Sequence, residues 1–254
     1  MKISFVSSPK HSAQAALQEL TAIYGQVAVA EADYIVALGG DGTVLRGLHG
    51  ALASAHQPVF AMRLEGSLGA LANRYSLQDL PQRLQCARRV VLHPLKAEAS
   101  CRAGHDKTVI AINEIVFSRQ RLQAAKIQVR AAARELPMLI GDGLIIASAV
   151  GSSGYNHSAG GPCLPYTASS LSLTALAPHR CSKWSNTVVD DATSVEIEVT
   201  DPEFRPVRLE TSTSELRDVR RARVSCCRNL ALALRSRWAM IAARSAASRS
   251  GRRR

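Results

Sequence analysis

The stretch Tyr34-Ile35-Val36-Ala37-Leu38-Gly39-Gly40-Asp41-Gly42-Thr43 constrains the fold of this chain more than any other. Residues 33–38 read as a strand that runs straight into three glycines around one acid. Glycine lets the backbone turn sharply and leaves its amides open to a ligand. Val44, Leu45, Leu48 and Leu52 then recur at helical spacing, with Thr43 placed to cap the helix they define. A strand, a glycine turn and a helix N-terminus in this order make a cradle for an anion such as phosphate.

The neighbouring segments repeat the pattern. Residues 2–7 and 58–62 read as further strands, and residues 12–23 and 79–88 as helices, so the first 92 residues predict a doubly wound α/β domain. After His93-Pro94 the texture changes. Residues 95–101, 108–118, 126–132, 139–147, 194–200 and 206–210 alternate or run apolar at strand length, which predicts a β-rich, sandwich-like domain over 93–235. Residues 236–254, rich in Ala, Ser and Arg, read as a disordered basic tail.

The net charge of +12 invites a nucleic-acid partner until its position is considered. Residues 219–254 contain eleven arginines, no lysine and no acid, leaving +1 (12 − 11) for residues 1–218. The body is nearly neutral, so no specific nucleic-acid binding is expected. No apolar run approaches the roughly 20 residues that cross a bilayer, and the N-terminus opens on a strand. A cytoplasmic protein without a membrane partner is therefore expected. The six cysteines lack metal-finger or disulfide-framework spacing and read as free, mostly buried thiols.

Three groups of residues carry chemistry. In the glycine turn, Asp41 would repel phosphates if it merely faced them, so it fits a base or a ligand of phosphate-bound Mg²⁺. An ordinary turn with a solvated Asp is the alternative for the pentapeptide alone. Asn113-Glu114 interrupts an apolar strand, and such a pair must be solvated, partnered or functional. Asp142-Gly143 leads through an apolar run into Gly151-Ser152-Ser153-Gly154-Tyr155-Asn156-His157-Ser158. That loop offers hydroxyls, amides and one aromatic face, which suits a nucleoside. His157 has no second ligand at helical spacing, so no protein metal site is assigned. Neither a Walker loop nor a GxGxxG dinucleotide fingerprint occurs.

Taken in order, Gly39 to Thr43, Asn113-Glu114, and Asp142-Gly143 with Gly151 to Asn156 resemble the signature regions of the NAD kinase family. Further likeness to its short, alphaproteobacterial-type members lies around Leu164-Pro165, Asp201-Pro202 and Leu216-Arg217-Asp218. The resemblance implies phosphoryl transfer from ATP, another nucleoside triphosphate or polyphosphate, with Mg²⁺, to the adenosine ribose 2'-hydroxyl of NAD. It implies that Asp41 is the catalytic base and that Gly40, Gly42 and Thr43 hold donor phosphates. Asn113 and Glu114 would hold the NAD ribose, while Asp142, Ser153, Gly154, Tyr155 and Ser158 would line the adenine and nicotinamide pockets. It also implies a homodimer or homotetramer whose neighbouring subunits complete the NAD site. Where the family reads Leu-Gly-Phe, this chain reads Leu68-Gly69-Ala70. Where the family reads Thr-Pro-x-Gly-Ser-Thr-Ala-Tyr, it reads Ser148 to Tyr155 with small or hydroxyl residues retained. A lipid or sphingoid-base kinase sharing the glycine turn, and a non-catalytic dinucleotide-binding homologue, are the competing readings.

Overall fold

The computed structural model describes residues 1–64, 71–102, 104, 106–132 and 134–236. It comprises two units, residues 1–92 with 230–236, and residues 93–229. The first contains β1 (Ile3–Ser7), α1 (His11–Tyr24), β2 (Tyr34–Leu38), α2 (Asp41–Leu52), β3 (Val59–Arg63), β4 (Asn73–Arg74), α3 (Leu80–Cys86) and β5 (Arg88–Leu92). Strands β1, β2 and β3 pair in parallel. Because strand side chains alternate, Val36, Leu38, Phe60 and Met62 face Ala16 and Leu20 of α1 and Leu80 and Leu84 of α3. Ile35, Ala37 and Val59 meet α2 on the other side. A Cβ added at Gly47 would stand 3.3–3.6 Å from those three side chains, so α2 lies close on the sheet. Helices cover both faces, as a doubly wound arrangement requires.

Two local expectations change. The helix after β2 starts at Asp41 with Gly40 as its N-cap, so Thr43 is a buried residue of the first turn and not the cap. The helix expected over 79–88 ends at Cys86, and the β-branched run that follows becomes β5.

The second unit is β-rich. It contains β6 (Leu95–Cys101), β7 (Asp106–Ala111), β8 (Glu114–Arg119), β9 (Ala125–Ala131), β10 (Arg134–Glu135), β11 (Leu139–Gly141), β12 (Gly143–Ala147), the short helix α4 (Tyr155–Ser158), β13 (Ser170–Leu176), β14 (Thr187–Asp190), β15 (Val195–Val199), β16 (Val207–Glu210) and β17 (Glu215–Cys226). Among the described residues these strands form one twelve-stranded hydrogen-bonded network. Strand β17 links its parts: Glu215 to Val219 pair with β16, while Arg221 to Val224 pair with both β15 and β6. A single apolar core, including Leu95, Phe117, Ile127, Leu139, Leu144, Val195, Leu209 and Val224, draws on nearly every strand. The sheet thus curls around one core, in line with the β-rich, sandwich-like domain expected for this part of the chain. The run expected as one strand over 108–118 breaks at Ile112-Asn113, and the run over 139–147 breaks at Asp142.

The last strand, β18 (Leu232–Ser236), returns to the first unit. It lies between β3 and β5, parallel to the former and antiparallel to the latter. Leu232, Ala233 and Leu234 are buried there. Arg235 Nη1 donates to the carbonyls of Leu84, Gln85 and Ala87 at the C-terminal end of α3, where a helix favours a cation. Residues 230–236 therefore belong to the first unit and not to the β region expected over 93–235. Residues 65–70, which include Leu68-Gly69-Ala70, and the tail from 237 lie outside the described residues.

Arginines before the tail are offset locally. Arg220 pairs with Glu203, Arg221 with Glu198, Arg223 with Glu196 and Arg228 with Asp191. The cysteines are free, but Cys86, Cys163 and Cys181 are exposed and the other three half-buried, contrary to the expected buried thiols. No helix among the described residues is long and apolar enough to cross a membrane.

Candidate active site

The first group of candidate residues is built by the end of β2. The Gly39 amide donates to the Met62 carbonyl at 2.9 Å, holding the turn to the neighbouring strand. Gly39 adopts φ +152°, and a Cβ there would stand 2.5 Å from Thr43 Oγ1 and 3.2 Å from Ser8 Cβ. Backbone and packing both demand glycine. Among the described residues nothing lies within 4 Å of a Cβ added at Gly42. Helix α2 has no side-chain cap, so its first amides are open to a ligand. The Thr43 amide is bound to the Gly40 carbonyl at 2.9 Å, which leaves the preceding amides as the better anion donors. Asp41 is half-buried at the mouth of this turn, and its Oδ1 accepts from the Leu71 amide at 3.2 Å. Arg46, one turn further along α2, donates from Nη2 to Ser7 O at 3.0 Å and to Thr43 Oγ1 at 3.5 Å.

The second group lies where β8 begins and β12 ends, which the pairing of Glu114 with Ala147 brings together. Asn113 occupies the bend between β7 and β8, so Asn113 and Glu114 do not alternate on one strand as expected. The Ser148 amide donates to Asn113 O at 2.8 Å, and Ser148 Oγ donates to Ile112 O at 2.8 Å. The chain then turns through Gly151–Ser153 and α4, so the expected long loop contains two short helical turns. A Cβ at Gly151 would be 2.2 Å from the Asn113 carbonyl oxygen and 2.7 Å from Glu114 Oε2. The glycine thus allows the turn to rest directly on the Asn113-Glu114 corner. Buried there, Asn113 Oδ1 and Glu114 Oε2 accept no hydrogen bond among the described residues. Desolvation pushes the Glu114 carboxyl up to about 7. Two unsatisfied acceptors at one corner are complementary to hydroxyl or amine donors of a ligand. Ser153, Gly154, Tyr155 and Ser158 are exposed around the same turn, with 49% of Tyr155 accessible.

Asp142 stands apart from that corner. It precedes β12 at the end opposite Ala147, a separation of about 13–16 Å of extended strand. Its carboxylate is paired with Arg119, Nε to Oδ1 at 2.8 Å. One chain therefore does not bring Asp142 beside Ser153, Tyr155 and Ser158.

Sequence reasoning missed the residue that anchors this turn. Asn156 is completely buried. Its Nδ2 donates to Ser152 O at 3.1 Å and Pro162 O at 3.0 Å, while its Oδ1 accepts from Ser172 Oγ at 3.0 Å and Thr174 Oγ1 at 2.7 Å. The signal was present in β13, where Ser170, Ser172 and Thr174 alternate with leucines and point one polar row at the turn. Among the described residues no three His, Cys, Asp or Glu side chains converge.

The ATP-NAD kinase C-terminal domain family matches residues 112–230. A NAD kinase from Xylella fastidiosa is 42% identical over 219 residues, covering 86% of this chain and 83% of that protein. The chain belongs to the NAD kinase family. A second family member, the NAD kinase of Zymomonas mobilis, is 35% identical and covers 92% of this chain and 91% of its own. Among solved structures, yeast NADH kinase complexed with NADH superimposes with a TM-score of 0.81 at 17% identity, covering 99% of this chain and 88% of that one. An NAD kinase from Archaeoglobus fulgidus in complex with ATP gives 0.73 at 21% identity, covering 94% and 95%. At those identities the two structures speak to the NAD kinase fold alone. The segment matched by the family model, residues 112–230, includes Asn113-Glu114 and the turn at Gly151–Ser158.

Proposed function

We propose that this chain is an NAD kinase, transferring a phosphoryl group from ATP to the adenosine ribose 2'-hydroxyl of NAD to give NADP. The observation that carries the reading is the uncapped N-terminus of α2, presented by a glycine turn with a half-buried carboxylate, in a chain 42% identical to a NAD kinase. Phosphoryl transfer needs positioning and charge neutralisation more than covalent chemistry from the protein. The amides of Gly40 and Gly42, with Thr43 holding the turn, suit the donor phosphates. Asp41 suits the base. Its carboxylate accepts the 2'-hydroxyl proton as that oxygen bonds to the terminal phosphorus, the bridging P–O bond breaks and ADP departs. A single carboxylate can supply at most part of an Mg²⁺ shell, so Mg²⁺ fits as a component of the ATP substrate and not as a resident ion.

On the second unit, the acceptors of Asn113 and Glu114 suit ribose hydroxyls. Ser153, Gly154, Tyr155 and Ser158 suit the bases and their linking groups. The position of Asp142 at the far end of β12 is consistent with a homodimer or homotetramer in which this carboxylate serves a neighbouring copy's pocket. Three exposed free thiols fit a reducing, cytoplasmic setting. Lipid phosphorylation is not favoured, because the relatives at 35–42% identity are NAD kinases. The test is NADP formation by the purified chain with NAD, ATP and Mg²⁺. Phosphorylation of diacylglycerol without NADP would overturn the reading, and so would NAD binding without turnover.

A further inference from the structure

Strands β1 and β2 are parallel neighbours, so the turns leaving their carboxyl ends lie side by side. Ser8 N–H donates to Leu38 O at 3.0 Å, and Ser8 Cβ lies against Gly39. Gln14 braces the first turn, donating from Nε2 to Ser7 Oγ at 2.9 Å and to Ser8 O at 2.8 Å. Within this fixed pair of turns the Ser8 hydroxyl is buried and has no hydrogen-bond partner among the described residues. A buried hydroxyl without a partner is costly and calls for an explanation.

Arg46 supplies a second one. Its Nη2 bridges the two turns, from Ser7 O on the first to Thr43 Oγ1 beyond the second. Both contacts use one corner of the guanidinium. Nη1 and Nε find no acceptor among the described residues, and no acid there pairs with the charge. Among the described residues the cation is therefore held in place by neutral groups, with two of its edges unused, beside open helix amides. A planar fork of this kind matches phosphate oxygens, which a flexible lysine meets as a point charge.

We propose that Arg46 and the Ser8 hydroxyl form a second wall of the phosphate site, where they bind the polyphosphate chain of the donor and set its affinity. This rests on the reading of the Gly39–Thr43 turn as the donor site. It adds a residue pair that lies outside that turn and makes contact through the unused guanidinium edges.

The test is calorimetric titration of the full chain with inorganic tripolyphosphate and with ATP, each with Mg²⁺, for wild type, Arg46→Gln, Arg46→Lys and Ser8→Ala. Steady-state KM values for ATP and NAD are measured in parallel. Loss of a charge-assisted contact predicts that Arg46→Gln weakens tripolyphosphate binding and raises the KM for ATP by about tenfold or more. The KM for NAD should stay within about twofold, Arg46→Lys should recover part of the loss, and Ser8→Ala should show a smaller shift of the same kind. Unchanged tripolyphosphate binding in Arg46→Gln overturns the proposal, as does a wild-type chain that binds none. A parallel rise in both KM values with a lowered melting temperature also overturns it, since a structural brace would give that result. If Arg46→Gln weakens tripolyphosphate binding but wild type forms no NADP, the phosphate site stands and the NAD kinase reading falls.

Discussion

Replacing Asn156 by leucine tests how the turn at Gly151–Ser158 is held. The side chain makes four hydrogen bonds from a completely buried position, two to carbonyls of its own turn and two from hydroxyls of β13. Leucine fills a similar volume and makes none of them. Ser172 Oγ and Thr174 Oγ1 are 3.2 Å apart, so one hydroxyl can donate to the other and the loss on that side is partly recovered. Ser152 O also faces the Cys163 thiol at 3.8 Å, a weak substitute. About two polar groups therefore stay buried and unsatisfied, at about 1–3 kcal/mol each, or roughly 4 kcal/mol in all. Gly161 offers no slack, since even a Cβ there would sit 2.3 Å from Thr174 Oγ1. For a protein of this size that loss lowers a melting temperature by roughly 8–16 °C. Scanning calorimetry reads the shift, and isothermal titration with NAD reads the expected weakening of nucleotide binding as the turn detaches. Asn156→Asp is the informative partner, because it keeps an acceptor oxygen for the two hydroxyls but sets a carboxylate against two carbonyl oxygens. It should be more destabilised at pH 8 than at pH 5. A melting temperature for Asn156→Leu within about 2 °C of wild type, well inside the range of ordinary surface substitutions, would refute the anchoring role.

Three further outcomes follow from the same geometry. Burial raises the Glu114 carboxyl from 4.5 to about 7, so the folded chain binds this proton more tightly than the unfolded chain. Its contribution is then fully present below about pH 4.5 and is lost as pH rises through about 7, by about 2–3 kcal/mol. Melting curves from pH 4.5 to 8 should show Glu114→Gln lacking this component, and an unchanged pH profile would count against it. Gly39→Ala places a Cβ 2.5 Å from Thr43 Oγ1 at a φ of +152°. A cost of about 2–4 kcal/mol at the turn should raise the KM for ATP while NAD binding by titration persists. A chain ended after Asn229 loses the strand between β3 and β5, with Leu232, Ala233 and Leu234. Its first unit should lose protection in hydrogen exchange, whereas a chain ended after Ser236 should keep it.

Much of the fold was legible because its signals are local. Residues 2–7, 33–38 and 58–62 carry their strand character in continuous apolar runs, and α1 carries its helix in a 3.6-residue period. Boundaries were less legible where a glycine outweighed a hydroxyl, as when Gly40 and not Thr43 capped α2. β18 was not read as a strand, since a short apolar run beside the arginine-rich tail does not by itself say whether a sheet receives it. Long-range pairing of Leu234 with Val59 and Val90 decided that. The break at Asn113 was hidden inside an apolar run, and was set by the Ser148 amide and Gly151 closing onto its carbonyl. The site residues announced themselves through glycines and out-of-place polar groups. Asn156 and Arg46 did not, because an amide or a guanidinium earns its role from partners distant in sequence.

The central claim is that the Asp41 carboxylate takes the proton from the NAD ribose hydroxyl. Single-turnover formation of NADP by Asp41→Asn, at saturating NAD and Mg·ATP, tests it most directly. The rate should fall by about 10²–10⁴ relative to wild type, with titrated affinities for both nucleotides nearly intact. A variant that makes NADP at the wild-type rate would contradict the assignment.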